Sequence, residues 1–511
     1  MRTSKKNDEI LILLNIVWSV IAVGVNYFMN FLITPYVTNN IGVEAYGFVA
    51  LATTFTNYVD IISIGLNAFA GRFISVAYHK NDKDRANMFY SSVIVADVIL
   101  ALLVLAPCTV IILRLEKFLQ IPQLLTKDVK LLFAAVLIKY LLTVLRTAFN
   151  TATFISNRLD IYEKHHSFSY VLQAVLLLGM CVLLPPHVWY VGLAGIAAAL
   201  YLLIVNLRLT KKLTPDLRFH RELCSIKAVR ELVSAGLWNS LNNLGNVLNS
   251  GLDLLITNVM IDAVVLGEVS IAKNLGTICY TLVMRVSDSF RPKQLKLYAE
   301  NRIEDQVALF KQTMKITGML CSLIICVFYI CGQDFLRLWI PGQNISFIFK
   351  ITMIVLLSDI AIGVVNPLYY VFTLTKKLKV PCVITIAMGV LNVASMYLLI
   401  KYTSFGAYAV VLTTLVLNFF HFVDTPLYSA HCLKVKLTTF YPTIARHLGV
   451  LCIGGAVSCV LNILLPEAVS WVMLILKAGI SAVILLLVFV VLMFSRKEIR
   501  TFANRIMEGR K

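Results

Sequence analysis

Residues 237–256 read LWNSLNNLGNVLNSGLDLLI, long enough to cross a bilayer and largely apolar, yet holding five asparagines and an aspartate. In hydrocarbon an unsatisfied amide or carboxylate is costly, so such groups persist only against a partner or water. Positions three and four apart share one face of a helix. Asn239, Asn242 or Asn243, Asn246, Asn249 and Asp253 step by three or four throughout, so the polar groups form one stripe.

The surrounding chain sets the context. Its 511 residues are 59% hydrophobic and 14% charged, well above the roughly half apolar usage of soluble domains. Apolar runs recur from Ile10 to the C-terminus, and at about 20 residues per crossing they predict an all-α polytopic membrane protein of about fourteen spans. The spans run from 10–36 to 469–494. Those used below are span 1 (10–36), span 2 (44–70), span 4 (130–153), span 5 (167–185), span 7 (232–258), span 8 (264–288) and span 10 (347–372). An even number puts both termini on one side. Of the 46 Lys and Arg, only Arg114, Lys117, Lys127, Lys130, Arg337 and Lys401 fall on outside loops when the N-terminus is cytoplasmic. The positive-inside rule therefore favours cytoplasmic termini. The net charge of +19 is then topology and lipid headgroup contact, with no call for nucleic acid.

Loops are short, which leaves no room for a catalytic domain, and no G-x-x-x-x-G-K-[ST] phosphate loop occurs. The eleven cysteines form no C-x-x-C pair, so neither a disulfide nor a metal site is expected. Function is expected among the helices.

The polar stripe recurs. Span 1 carries Asn15, Ser19, Asn26, Asn30 and Thr34; span 2 carries Thr53, Asn57, Asp60 and Asn67; span 4 carries Lys139, Thr143, Arg146 and Asn150. Span 8 carries Ser270, Asn274, Thr277, Thr281, Arg285 and Asp288 beside Lys273, and span 10 carries Asp359, Gly363, Asn366 and Tyr370. Spans 5, 6 and 13 look featureless. A weak parallel repeat matches NFLIT (30–34) to DLLIT (253–257) and RFISVAYHKN (from Arg72) to RPKQLKLYAEN (from Arg291). It predicts two six-helix lobes around a hydrated central cavity, over 1–222 and 223–432, followed by two further spans over 433–511.

Hydrogen bonding between helices explains any single asparagine well, but six stripes that obey the repeat favour a wet cavity. Asp253 and Lys273 are equally readable as a mutual ion pair or a gate. Lys139 and Arg146 share a face of span 4 with no carboxylate on that span. Their partner is Asp60 or Asp97 on another helix, or an anionic substrate such as a phosphate.

NNIGVEAYGFVALATTFTNYVDIISIGLNAFAGRFIS (39–75) resembles the Gly-x-Glu-x-Tyr-Gly segment, downstream Gly and closing Arg of the polysaccharide transporters in the MOP flippase superfamily. GLDLLITNVMIDAVVLGEVSIA (251–272), DFLRLWIPG (334–342) and LNVASMYLLIKYTSFGAYAVVLTT (391–414) resemble its later landmarks in order. Leu266 departs from the aromatic expected before Gly267. The resemblance implies a flippase for a polyprenyl-diphosphate-linked oligosaccharide of the O-antigen, capsule or exopolysaccharide kind, not an enzyme. It puts Arg72 and Asp253 at motif positions, and Glu44 too, although helix capping explains Glu44 equally well.

With the stripes, the expected substrate-binding residues are Arg72, Lys139, Arg146, Lys273, Asn26, Asn30, Asn239, Asn242, Asn246 and Asn249. Asp60, Asp253 and Asp359 are the candidates for ion coupling or gating. No cofactor is expected; Na+ or H+ is the candidate coupling ion. Membrane lipids and other polysaccharide assembly proteins are the remaining expected partners. The alternative is a cation-coupled multidrug or small-molecule exporter of the same superfamily, whose cavity should favour carboxylates over the mid-span Lys and Arg found here. A membrane glycosyltransferase or polymerase would need a large acidic loop, which the chain lacks.

Overall fold

The computed structural model describes residue 21 and residues 24–493. Asn15, Ser19 and the basic residues at the two chain ends lie outside the described residues. Among the described residues every regular element is helical, as a bilayer requires of a chain that must satisfy its own backbone. The elements are α1 (24–40), α2 (Val43–Asn67), α3 (Ala70–His79), α4 (Lys83–Leu113), α5 (Thr126–Ile155), α6 (Leu159–Leu183), α7 (Tyr190–Leu213), α8 (Ile226–Asn246) and α9 (Asp253–Met260). They continue with α10 (Ala263–Asp288), α11 (Arg291–Ala299), α12 (Ile303–Trp339), α13 (Ile345–Leu374), α14 (Lys379–Tyr402), α15 (Ala407–Leu433), α16 (Tyr441–Leu464) and α17 (Trp471–Met493). Among the described residues ten helices are long and apolar enough to cross a membrane. The helices over spans 4, 7 and 8 are not among them, so hydropathy alone does not fix the expected fourteen.

Two compact units form, Met1–Gly267 with Thr385–Val390, and Glu268–Ile384 with Leu391–Lys511. In the first, α2 packs along α8 so closely that a Cβ on Gly236 would collide with the Gly65 carbonyl. Ser240 Oγ donates to the Ile61 carbonyl at 2.6 Å across the same contact. α5 packs on α7, where Gly192 admits Ala135 and Gly195 makes way for the Lys139 stem. The stretch before α8, irregular apart from a 3-10 turn at Arg221–Leu223, lies on α4, its backbone N–H groups at Arg218, His220 and Ser225 donating to the side chains of Asn87, Ser91 and Ser92. Three buried polar side chains thereby satisfy a backbone that has no helix to do so.

Span 7, expected as one helix, is broken. Val247–Gly251 winds as a π-turn between α8 and α9, with Leu252 N–H donating to the Val247 carbonyl at 3.1 Å. The Gly251 carbonyl takes a hydrogen bond from Tyr58 Oη at 2.7 Å, which compensates one acceptor that the regular ladder no longer serves. The asparagine-rich stretch is therefore where the helix changes winding.

In the second unit, Phe310, Leu368, Phe372 and Phe440 anchor a core formed by α12, α13, α15 and the start of α16. α16 and α17 dock on α12. Lys477 Nζ meets Asp334 Oδ2 at 2.8 Å, and the same oxygen accepts from Ala468 N–H at 3.0 Å. Lys477 is thus a buried but fully matched charge.

Local geometry repeats between the units. Asn81 and Asn301 both adopt left-handed φ, at 60° and 56°. Each closes a short helix with the same pair of bonds: Asn81 N–H to Tyr78 and Asp82 N–H to Ala77, then Asn301 N–H to Tyr298 and Arg302 N–H to Leu297. Asn157 after α5 and Lys376 after α13 end their helices in the same way, at φ 51° and 57°. This is the Schellman closure of a helix C-terminus.

Candidate functional site

Residues on α5 and α6 form the candidate site, within the first unit. α5 carries Lys139, Thr143, Arg146 and Asn150 on one face, and Lys139 and Arg146 are electrostatic neighbours. Thr143 Oγ1 donates back to the Lys139 carbonyl at 3.0 Å, so it does not compete for a ligand. Arg146 is 8% exposed and its Nε has no hydrogen-bond partner. Lys139 is exposed, its stem laid over Gly195, where a Cβ would lie 2.9 Å from Lys139 Cδ.

Neither cation meets a carboxylate among the described residues. The two expected partners are engaged elsewhere. Asp60 accepts from Ser63 Oγ and, at 3.4 Å, from Tyr140 Oη; Asp97, 1% exposed, accepts from Asn67 Nδ2 at 2.8 Å. A buried cation without a counter-charge is costly in a low-dielectric surround, so the α5 face is suited to an anion.

α6 supplies the rest. It begins at Leu159, ahead of the expected start at 167, and its face is not featureless: Tyr162, His166 and Tyr170 recur every four residues. The rings of Tyr162 and His166 lie 4.4 Å apart and those of His166 and Tyr170 6.2 Å apart. All three are electrostatic neighbours of Arg146. His166 Nε2 and Asn150 Oδ1 are buried without hydrogen-bond partners. The α6 signal was available in the sequence, as an aromatic and imidazole spacing of four, but the late start assigned to span 5 cut it in half.

The other expected residues are distributed. Arg72 is exposed on α3, and Asn239, Asn242 and Asn246 are exposed on α8, while Asn249 is half-buried in the π-turn. Asn26 and Asn30 are half-buried on α1, where Asn30 Nδ2 donates to the Asn26 carbonyl at 3.1 Å. Asp253 is fully buried at the start of α9, an electrostatic neighbour of Tyr58. In the second unit Lys273 and Asp359 are electrostatic neighbours, and Asp359 lines a cavity with Cys279, Tyr280 and Cys321. Glu44 sits in the first turn of α2, where a carboxylate complements the helix dipole.

A profile of the polysaccharide biosynthesis protein family matches residues 12–287, more than half of the chain. The chain belongs to that family. The chain is 27% identical over 416 residues to the uncharacterized membrane protein EpsK of Bacillus subtilis (strain 168), covering 81% of this chain and 82% of the relative. Among solved structures it is similar to an inward closed conformation of the lipid II flippase MurJ, with a TM-score of 0.66 and 14% identity over 94% of this chain and 97% of that one. It is also similar to an inward-facing multidrug resistance MATE family transporter of the MOP superfamily, with a TM-score of 0.64 and 12% identity over 81% and 98%. A MOP superfamily transporter from Pyrococcus furiosus, described as having a binding pocket of reverse polarity that suggests a different function, matches with a TM-score of 0.56 and 15% identity over 83% and 95%. The fold of this family member is therefore that of the MOP transporters.

Proposed function

We propose that the protein is a flippase that moves a polyprenyl-diphosphate-linked oligosaccharide from the inner to the outer leaflet of the bacterial cytoplasmic membrane by alternating access, for surface polysaccharide synthesis. It acts by transport and not by catalysis, with both termini cytoplasmic and the halves 1–222 and 223–432 as the parts that rock. One observation carries the reading: Arg146 and Lys139 share the α5 face and meet no carboxylate among the described residues. A diphosphate supplies the missing negative charge, and arginine can meet it through two parallel hydrogen bonds. Tyr162, His166 and Tyr170 flank that position with aromatic faces. Arg72 and the asparagines of α1 and α8 are further contacts along the path, and the lipid tail stays in the bilayer. Each uncompensated negative charge moved outward gains about 2.3 kcal/mol per 100 mV of inside-negative potential. ATP is therefore not required. Na+ or H+ coupling through Asp60, Asp253 or Asp359 would add to this drive.

The multidrug exporter reading draws on the MATE fold likeness. The α5 cations weigh against it, because a cationic drug would be repelled there. The deciding experiment is protein-dependent movement of a polyprenyl-diphosphate oligosaccharide across proteoliposomes under an imposed potential, comparing the intact protein with Arg146→Ala and Asp253→Asn. Movement that Arg146→Ala slows about 10-fold or more supports the flippase. Movement of a cationic dye with none of the lipid-linked sugar overturns it in favour of the exporter.

A further inference from the structure

A chain that leaves the helical ladder beside a membrane helix needs other partners for its backbone. The strap between α7 and α8 finds them on α4, which is long and apolar enough to cross a bilayer. The N–H groups of Arg218, His220 and Ser225 donate to Asn87, Ser91 and Ser92 at 2.9, 3.0 and 2.9 Å. The strap therefore follows α4 from residue 87 to residue 92, a rise of about 7.5 Å at 1.5 Å per residue. α4 opens on the charged turn Lys83, Asp84 and Arg85 and becomes apolar from Met88 onward. That stretch is where a crossing helix passes from the headgroups into hydrocarbon.

The side chains of the strap divide. Leu217 is buried in the core that holds Phe89 of α4 and Leu232 of α8, whereas Phe219 and, at the first residue of α8, Ile226 are 50% and 86% exposed. Arg218, Arg221, Lys227 and Arg230 are exposed around them. The carboxylates nearest in the chain are already committed to α4: Asp216 meets Lys83 at 3.2 Å and Glu231 meets Arg85 at 3.8 Å. Among the described residues, Glu222 alone is left to set against the four cations, and Arg218 Nε donates only to the neighbouring Pro215 carbonyl, at 3.3 Å.

Exposed apolar side chains beside unmatched cations, at the depth where headgroups give way to hydrocarbon, fit an anionic phospholipid. Its acyl chains cover Phe219 and Ile226 while its phosphate takes the arginines. A zwitterionic lipid would cover the apolar groups but bring no net charge to the cations. We propose that the strap is a membrane-surface anchor that lays Phe219 and Ile226 among the upper acyl chains and binds anionic phospholipid headgroups through Arg218, Arg221, Lys227 and Arg230. This rests on α4 crossing the bilayer and is independent of what the helices transport.

The test uses the full-length protein in nanodiscs of equal parts phosphatidylglycerol and phosphatidylcholine, with the photo-crosslinking residue p-benzoylphenylalanine in place of Phe219 or, separately, of Ile226. Illumination should attach both positions to lipid. Phosphatidylglycerol should exceed phosphatidylcholine among the adducts by about fivefold or more, the equivalent of about 1 kcal/mol from one cation near the surface. Arg218→Gln combined with Arg221→Gln should bring that ratio down toward one without lowering the total lipid adduct, and high salt should do the same by screening. Thermal unfolding checks the double variant, and if it fails to fold, Lys227→Gln combined with Arg230→Gln takes its place. Lipid adducts in proportion to the bilayer composition would overturn the headgroup site. Adducts to protein alone, or to nothing, at both positions would overturn the anchor.

Discussion

Arg146 and Lys477 are equally buried, each 8% exposed, yet they stand in opposite situations. Lys477 meets Asp334 at 2.8 Å and ties α17 to α12; Arg146 meets no carboxylate among the described residues and lies beside Tyr162, His166 and Tyr170. Burial alone therefore does not tell a structural charge from a functional one. The partner does. A charge matched within the protein holds helices together, whereas an unmatched one leaves its interaction energy to a ligand.

Substitutions should separate the two. Arg146→Ala should slow flipping of a diphosphate-linked sugar by about 10- to 100-fold, the loss of one or two charged hydrogen bonds, with the thermal unfolding temperature unchanged or raised; an unfolding temperature that falls steeply would make Arg146 structural. Lys477→Met should do the reverse. Leaving the buried Asp334 without its lysine costs up to about 3–5 kcal/mol, read as a lowered unfolding temperature with transport per folded molecule retained, and pairing it with Asp334→Leu should recover much of the loss. Gly236→Val tests contact without charge: forcing side-chain volume against the Gly65 carbonyl should destabilise the first unit by about 1–3 kcal/mol.

The smallest effect belongs to a surface pair. Lys130 meets Glu116 at 2.6 Å and holds its carboxyl below the ordinary glutamate range, chiefly through that hydrogen bond. The group's folded value is depressed, so its contribution is present above the ordinary value of about 4.3 and fades as pH falls through the lower folded value. Amide exchange in the loop between α4 and α5 should rise slightly over that acidic window in the native protein, and Glu116→Gln should remove the pH dependence.

Much of this contrast was legible in the sequence. Apolar runs gave the all-helical membrane fold, and the α5 face followed from a spacing of four, three and four in Lys139, Thr143, Arg146 and Asn150. The pairing of Lys477 was not legible, since Asp334 lies far away in sequence and only packing brings them together. The break in span 7 was hidden for a similar reason: the Gly251 carbonyl is met by a hydroxyl on α2, 193 residues away. His166 was missed through a boundary. Polar residues at the start of α6 lowered its apparent hydropathy, so the span was begun too late.

The π-turn at Val247–Gly251 also fixes a rotational phase. An α-helix advances about 100° per residue, and a wide turn accommodates one residue more than a regular turn. Deleting a single residue there would let the segment run on as an unbroken helix while swinging the α9 face by about a quarter turn, carrying Asp253 out of its buried position. The asparagine-rich stretch thus works as an angular spacer, and its length matters as much as its polarity.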